Sequence, residues 1–121
     1  MSPESILRQI KREASKATMR YQLGAVVVRG GRIISTGYNQ HRHVDLPAAW
    51  SKREDTICAE RDALRKCLHK AKGATVYVGK HTPGGRMRMA RPCAACVAMM
   101  RDAGIKKIYY TDSNGNLVRY E

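Results

Sequence analysis

From residue 3 to 18 apolar positions recur at helical spacing, with Ile6, Leu7, Ile10, Ala14 and Ala17 set among Lys and Arg. This pattern predicts an amphipathic helix with one buried stripe. Ser2 suits its N-cap and Pro3 its first helical position. The period then changes. Residues 23–28 form an unbroken, Val-rich apolar run, as expected of a buried strand. Gly30-Gly31 supplies a two-residue turn, and residues 32–38 return as the partner strand. Helical spacing resumes over residues 56–70, where Ala59, Ala63, Leu64, Cys67 and Leu68 share one side, and Gly73 stops it. Residues 74–78 read as a third strand. Pro92 opens a helix through Ala103, with Gly104 as its C-cap. Residues 105–110 and 117–120 are the last two strands, joined by the Asn-Gly turn at residues 113–116.

Two connections carry no period. Residues 39–55 are polar and longer than an idle connection usually is. Residues 79–91 are rich in Gly and Arg. The element order is therefore α-β-β-α-β-α-β-β, an α/β pattern with five strands and no repeat or linker. The turn between Asp112 and Asn116 leaves no room for a helix, so the final two strands must run antiparallel. A chain of 121 residues fits one domain spanning 1–121, with a core that needs no disulfides.

Composition adds charge to this picture. Twenty-three Lys and Arg against ten Asp and Glu leave +13. Such a field attracts polyanions or phosphorylated small molecules, although a solvated basic surface needs no ligand to explain it. Phe is absent, so six Tyr and one Trp supply the aromatic rings. No apolar run approaches the roughly 20 residues of a membrane span. Residues 1–11 lack the pattern of a signal peptide, so a cytoplasmic protein with reduced thiols is expected.

Two segments open predicted helices with metal-capable side chains: Thr56-Ile57-Cys58-Ala59-Glu60 and Arg91-Pro92-Cys93-Ala94-Ala95-Cys96. Cys93 and Cys96 are three apart and share a helix face, so they can grip one ion together. Cys58 would supply a third ligand, leaving a fourth tetrahedral position for water, as in catalytic zinc sites. Glu60 stands two residues beyond Cys58, where a carboxylate can move protons between water and a leaving nitrogen. Helix N-termini favour thiolates. Three thiolates on one divalent ion are over-negative, and Arg61 is placed to donate to one of them. Cys67 is turned about half a circle from Cys58 around the same helix and is expected in the core.

Cys58-Ala59-Glu60 with Pro92-Cys93-Ala94-Ala95-Cys96 resembles the signature of the cytidine deaminase superfamily, over about residues 20 to 120. Cys58-Ala59-Glu60-Arg61 and the antiparallel ending resemble the free cytidine deaminase branch. Gly37-Tyr38-Asn39 and Ala103-Gly104-Ile105-Lys106-Lys107 look more like the deoxycytidylate branch. Val97 and Ala98 also stand where free cytidine deaminases continue after their second Cys with Arg-Gln. The resemblance implies a three-layer α/β/α fold around a five-stranded mixed sheet, with one Zn2+ per subunit between two helix N-termini. It implies hydrolytic replacement of the C4 amino group of cytosine, with Glu60 carrying the proton. It also implies that Asn39 contacts the sugar, that the Ala59 backbone N–H faces the base carbonyl, and that small members assemble as homo-oligomers (dimers or tetramers). Tyr109, or its neighbour Tyr110, is a candidate to stack on the base.

The remaining candidates divide evenly. Arg86, Arg88 and Arg91 could clamp a phosphate or line a solvated loop. His41 and His43 could be ligands or exposed loop residues, and Trp50 could line the pocket or cap the core. The substrate expected first is a free pyrimidine nucleoside or nucleotide. A polynucleotide cytosine or adenine deaminase is the alternative that the +13 charge favours. A non-catalytic, zinc-stabilised nucleic-acid-binding module is the third.

Overall fold

The structure, a computed structural model, describes residues 1–41, 56–82, 84 and 86–121. Helix α1 covers Pro3–Ala14, with Pro3 in its first turn and Ser2 as N-cap accepting from the Ser5 amide at 3.2 Å. It ends four residues before the helical pattern does. The chain turns at Ser15 to reach the sheet, and Ala17 stays buried without being helical. Strands β1 (Gln22–Arg29) and β2 (Arg32–Tyr38) form the expected hairpin, with Gly30 and Gly31 at φ +59° and +75°. Positive φ at both turn positions matches the twist of the flanking strands.

Two short strands follow that the periodicity does not announce: β3 (Gln40–His41) and β4 (Thr56–Ile57), paired antiparallel. Helix α2 therefore begins at Ala59, not at Thr56, and runs to Cys67. A 3-10 turn over Leu68–Ala71 completes it. Strand β5 (Thr75–His81) outruns the predicted 74–78 because its pairing with β1 continues to Gln22 and His81. The stretch 79–91, read as a loop, also contains β6 (Met87–Arg88), which folds back on Lys80 and His81. Helix α3 is Ala94–Asp102, with Cys93 as N-cap and Pro92 just outside it. Strands β7 (Lys107–Thr111) and β8 (Leu117–Arg119) end the chain's regular structure.

The five long strands are ordered β2-β1-β5-β7-β8, with β6 attached to β5. The sheet is mixed. β5 and β7 run parallel across the α3 connection, while β7 and β8 are antiparallel, as the short turn requires. Alternation sorts the side chains into two layers. Val26, with half-buried Val28 and Tyr77, packs against Ile6 and Ile10 of α1. Ala25, Val27, Val76, Val78, Ile108 and Tyr110 face α2 and α3 on the other side. The α/β/α layering expected above is thus the one observed. Among the described residues, no helix is long and apolar enough to cross a membrane.

One close approach sets the position of α2. At Gly37 a Cβ would collide with the backbone nitrogen of Ala63 and the carbonyl oxygen of Ala59. Neither atom can swing away as a side-chain tip could. Gly37→Ala should therefore push the first turn of α2 off the sheet and cost about 1–3 kcal/mol in urea denaturation. Gly30 has nothing within 4 Å of its Cβ position. Gly30→Ala carries only the positive-φ penalty of about 1 kcal/mol. Equal midpoints for the two variants would contradict this account.

Candidate active site and metal centre

The N-termini of α2 and α3 meet on one face of the sheet, and a cysteine caps each. Cys58 has φ −75° and ψ 161°, and Cys93 has φ −73° and ψ 162°. Both are extended residues from which the chain turns into a helix. The Cys58 sulfur accepts from the Arg61 amide at 3.5 Å. The Cys93 side chain caps nothing, and Cys93 is exposed. Cys96 lies in the first turn of α3, buried, with its sulfur 3.4 Å from that of Cys58. Ligand atoms of Cys58, Glu60 and Cys96 all fall within 4.8 Å of one another. Cys93 stands outside that trio but lines both clefts that open onto it, of about 290 and 310 Å³.

This donor set suits a zinc ion. Tetrahedral coordination with Zn–S bonds of about 2.3 Å separates two ligand sulfurs by roughly 3.8 Å. The observed 3.4 Å between Cys58 and Cys96 is close to that spacing. Electrostatics argue the same way. The hydrogen bond with Cys96, then burial and the Glu60 charge, hold the Cys58 thiol well above its ordinary value. Burial first, then the Cys96 charge, pushes the Glu60 carboxyl up to about 7. Acidic groups packed so closely resist ionising together, and a divalent cation is the counter-charge that relieves all of them.

The trio is held from beneath. Asp62, fully buried, accepts from the Tyr38 amide at 3.1 Å and from Arg65 Nε at 2.8 Å, with Lys66 Nζ at 3.5 Å. That carboxylate ties α2 to the end of β2. The next residue, Asn39, accepts from the Leu23 amide at 2.8 Å and donates to the Tyr21 carbonyl at 2.6 Å. Both halves of its amide thus fasten the start of β1.

The expected site residues divide as follows. Glu60, Cys58 and Cys96 converge, and Cys93 borders them. Ala59 is fully buried in the first turn of α2. Asn39 and Arg61, both buried, line the cleft beside the cysteines. The Arg61 backbone amide donates to the Cys58 sulfur. Tyr109 does not reach the site. It stacks on Tyr77 with ring centroids 5.1 Å apart, in a cleft beside α1 on the opposite face. Its neighbour Tyr110 points the other way, into the core. Of the three arginines only Arg91 lines the Cys58–Glu60 cleft. Its Nη1 donates to the Tyr110 hydroxyl at 3.1 Å, and its guanidinium lies 4.3 Å from the Tyr120 ring centroid. Arg88 belongs to β6, and the Arg86 backbone closes a turn with Thr82. His41 ends β3, while His43 and Trp50 lie outside the described residues. Cys67 is in the core, as expected.

Tyr21, Lys80 and Met89 also line the cleft and were not foreseen. The Lys80 ammonium sits 4.1 Å from the Tyr21 ring centroid at the mouth. Strand parity could have found two of them. Residues 21 and 23 share a face with 25 and 27, and residue 80 with 76 and 78, once the strands are extended.

Comparison with known proteins bears on this geometry. The profile of the family described as the cytidine and deoxycytidylate deaminase zinc-binding region matches residues 2–112. A deoxycytidylate deaminase of Schizosaccharomyces pombe is 26% identical over 107 residues, covering 78% of this chain and 32% of that protein. An uncharacterized deaminase of Aliivibrio fischeri is 30% identical over 93 residues, covering 73% and 56%. The chain thus spans about a third and just over half of these relatives' lengths. Among solved structures, a cytidine deaminase from Burkholderia pseudomallei superposes with a TM-score of 0.71 at 23% identity, covering 100% of this chain and 93% of the other. The dCMP deaminase of cyanophage S-TIM5, in complex with dCMP and dUMP, gives 0.68 at 24%, covering 93% and 84%.

The Asp62 anchor yields a test. Asp62→Ala leaves the Tyr38 amide and Arg65 without their buried acceptor and should cost about 3–5 kcal/mol. Asp62→Asn keeps an acceptor for Tyr38 and should cost less. Thermal or urea unfolding of both variants checks the order, and equal costs would show that the Tyr38 bond is not the anchor.

Proposed function

Because the chain belongs to the cytidine and deoxycytidylate deaminase family, we propose that it hydrolytically deaminates the cytosine ring of a free (deoxy)cytidine nucleoside or nucleotide, giving the uracil product and ammonia. The observation that carries this reading is the convergence of Cys58, Glu60 and Cys96 where two helix N-termini meet. Cys58, Cys93 and Cys96 would hold one zinc ion per subunit, and Cys93, whose side chain caps no helix amide, would complete the set. Bound zinc would supply Lewis acidity and lower the pKa of a water molecule.

The rest falls to the chain's own groups. Glu60, buried beside the cysteines, accepts a proton from the attacking water at a carboxylate oxygen. It delivers that proton to the ring nitrogen, then takes the proton of the hydroxyl now on C4 and passes it to the departing amino group. The C4–oxygen bond forms, the C4–nitrogen bond breaks, and ammonia leaves with the pair of electrons. Burial serves this role by raising the carboxyl's proton affinity toward that of a shuttle. The Ala59 amide, in the first turn of α2, would hold the base carbonyl. Asn39, braced by two backbone contacts, borders the sugar position, and Arg61 offsets thiolate charge. Arg91 is the arginine suited to a phosphate, because Tyr110 and Tyr120 hold its guanidinium at the cleft. That favours a nucleotide over a nucleoside. A homo-oligomer in the cytoplasm is the setting this reading expects.

Glu60→Gln should lower kcat by about 10²–10⁴ while the purified protein keeps about one zinc per chain. Cys93→Ser and Cys96→Ser should lose the metal itself. Ammonia release and elemental analysis on the same preparations separate the two effects, and a fully active Glu60→Gln enzyme would end the proposal. Replacing Arg91 with Gln should raise KM for dCMP by about tenfold or more, with deoxycytidine unchanged. A parallel change for both substrates would remove Arg91 from phosphate recognition.

A further inference from the structure

A cleft of about 580 Å³ lies along α1, separate from the cysteine site, and it is lined by cations. Arg8, Lys11 and Arg12 of the helix line it, together with Ser5, Ser15 and His81 of β5. All three cations are exposed. Among the described residues, none of them makes an ion pair. The lining includes no carboxylate among the described residues. The acids of α1 are disposed elsewhere, because Glu4 faces a different cleft and Glu13 is buried and held by Lys16 at 2.9 Å.

Like charges at i,i+3 and i,i+4, as in Arg8, Lys11 and Arg12, destabilise a helix by a few tenths of a kcal/mol per pair. An anion lying across them reverses the sign. Arg8 and Arg12 stand about 6 Å apart along the helix axis, a row better matched to several phosphates than to one. Gln22 is oriented by its own bond to the Ala17 carbonyl, so its Oε1 accepts from His81 Nδ1 at 3.1 Å. The ring is thereby fixed at the edge of the cleft. Lys80, next to His81, lines the cysteine cleft on the opposite face together with Tyr21. The row of cations thus runs to the sheet end where that cleft opens.

We propose that this cleft binds the phosphodiester backbone of single-stranded nucleic acid, with Arg8, Lys11 and Arg12 as the phosphate contacts. The inference concerns a surface outside the cysteine site and does not depend on the deaminase reading.

The test uses a labelled twenty-nucleotide oligothymidylate and its oligouridylate counterpart, which offer no cytosine to the site. Fluorescence anisotropy follows binding between about 50 and about 200 mM salt. Each phosphate contact on a single strand adds roughly 0.7 to the slope of log K against log salt. Arg8→Gln/Lys11→Gln/Arg12→Gln should therefore flatten that slope by about 2 and weaken binding at least tenfold at the lower salt. Arg32, Arg101 and Lys106 are exposed elsewhere on the protein. The triple variant Arg32→Gln/Arg101→Gln/Lys106→Gln removes the same net charge and should weaken binding only slightly. Equal losses in the two triple variants, or no binding by the unaltered protein, would overturn the proposal. So would equal affinity for a five-nucleotide and a twenty-nucleotide strand, which would mark a site for one phosphate. Glu60→Gln should bind as the unaltered protein does, and the α1 triple variant should keep its ammonia release from dCMP or cytidine. Failure of this proposal therefore leaves the catalytic reading untouched.

Discussion

The site depends on where α2 begins, and one buried carboxylate governs that. Asp62 lies one turn after Cys58 and accepts the Tyr38 amide at the end of β2. A fully buried charge in that position is tolerable only while its hydrogen bonds are made. The strand end and the helix start therefore cannot separate without stranding it. Gly37 adds the steric half of the constraint, since the absence of a Cβ lets the backbone of α2 lie directly on β2. Together they place Cys58 and Glu60 at a fixed height above the sheet. Cys96 comes from the other side, where α3 connects parallel β5 and β7, and the two sulfurs meet at 3.4 Å.

The arrangement concentrates two opposite electrostatic regimes in a small protein. At the centre, the Cys58 and Cys96 sulfurs and Glu60 crowd potential negative charge into a low-dielectric pocket, which raises the proton affinities of Cys58 and Glu60. Around them the chain carries +13. Lys80 and Arg91 at the cleft mouth are both held by aromatic groups, Lys80 over Tyr21 and Arg91 against Tyr110 and Tyr120. An anionic nucleotide would be drawn inward by the rim, while the centre favours a cation. A rim and centre of opposite sign are what the proposed deamination of a nucleotide would require.

The fold and the chemical groups were legible in the sequence to different depths. The order of elements followed from period alone, because each long element buries a continuous stripe or run. Cys58, Glu60 and Cys96, which the structure brings together, stood out in the sequence because each lies at or next to the start of a predicted helix. Strand ends were not. The pairing of Gln40–His41 with Thr56–Ile57, and of Met87–Arg88 with β5, involves two residues per strand and leaves no periodic trace. Losing the true end of β5 concealed Lys80.

Tyr109 shows the cost of reasoning about a strand without its face. Tyr109 and Tyr110 are consecutive, so one must point away from α2 and α3. Parity alone, carried from the core positions Ile108 and Tyr110, assigns Tyr109 to the α1 side, where it stacks on Tyr77. The same parity puts His81 beside α1 and Lys80 beside the cysteines. One step along β5 therefore carries the chain from one basic cleft to the other.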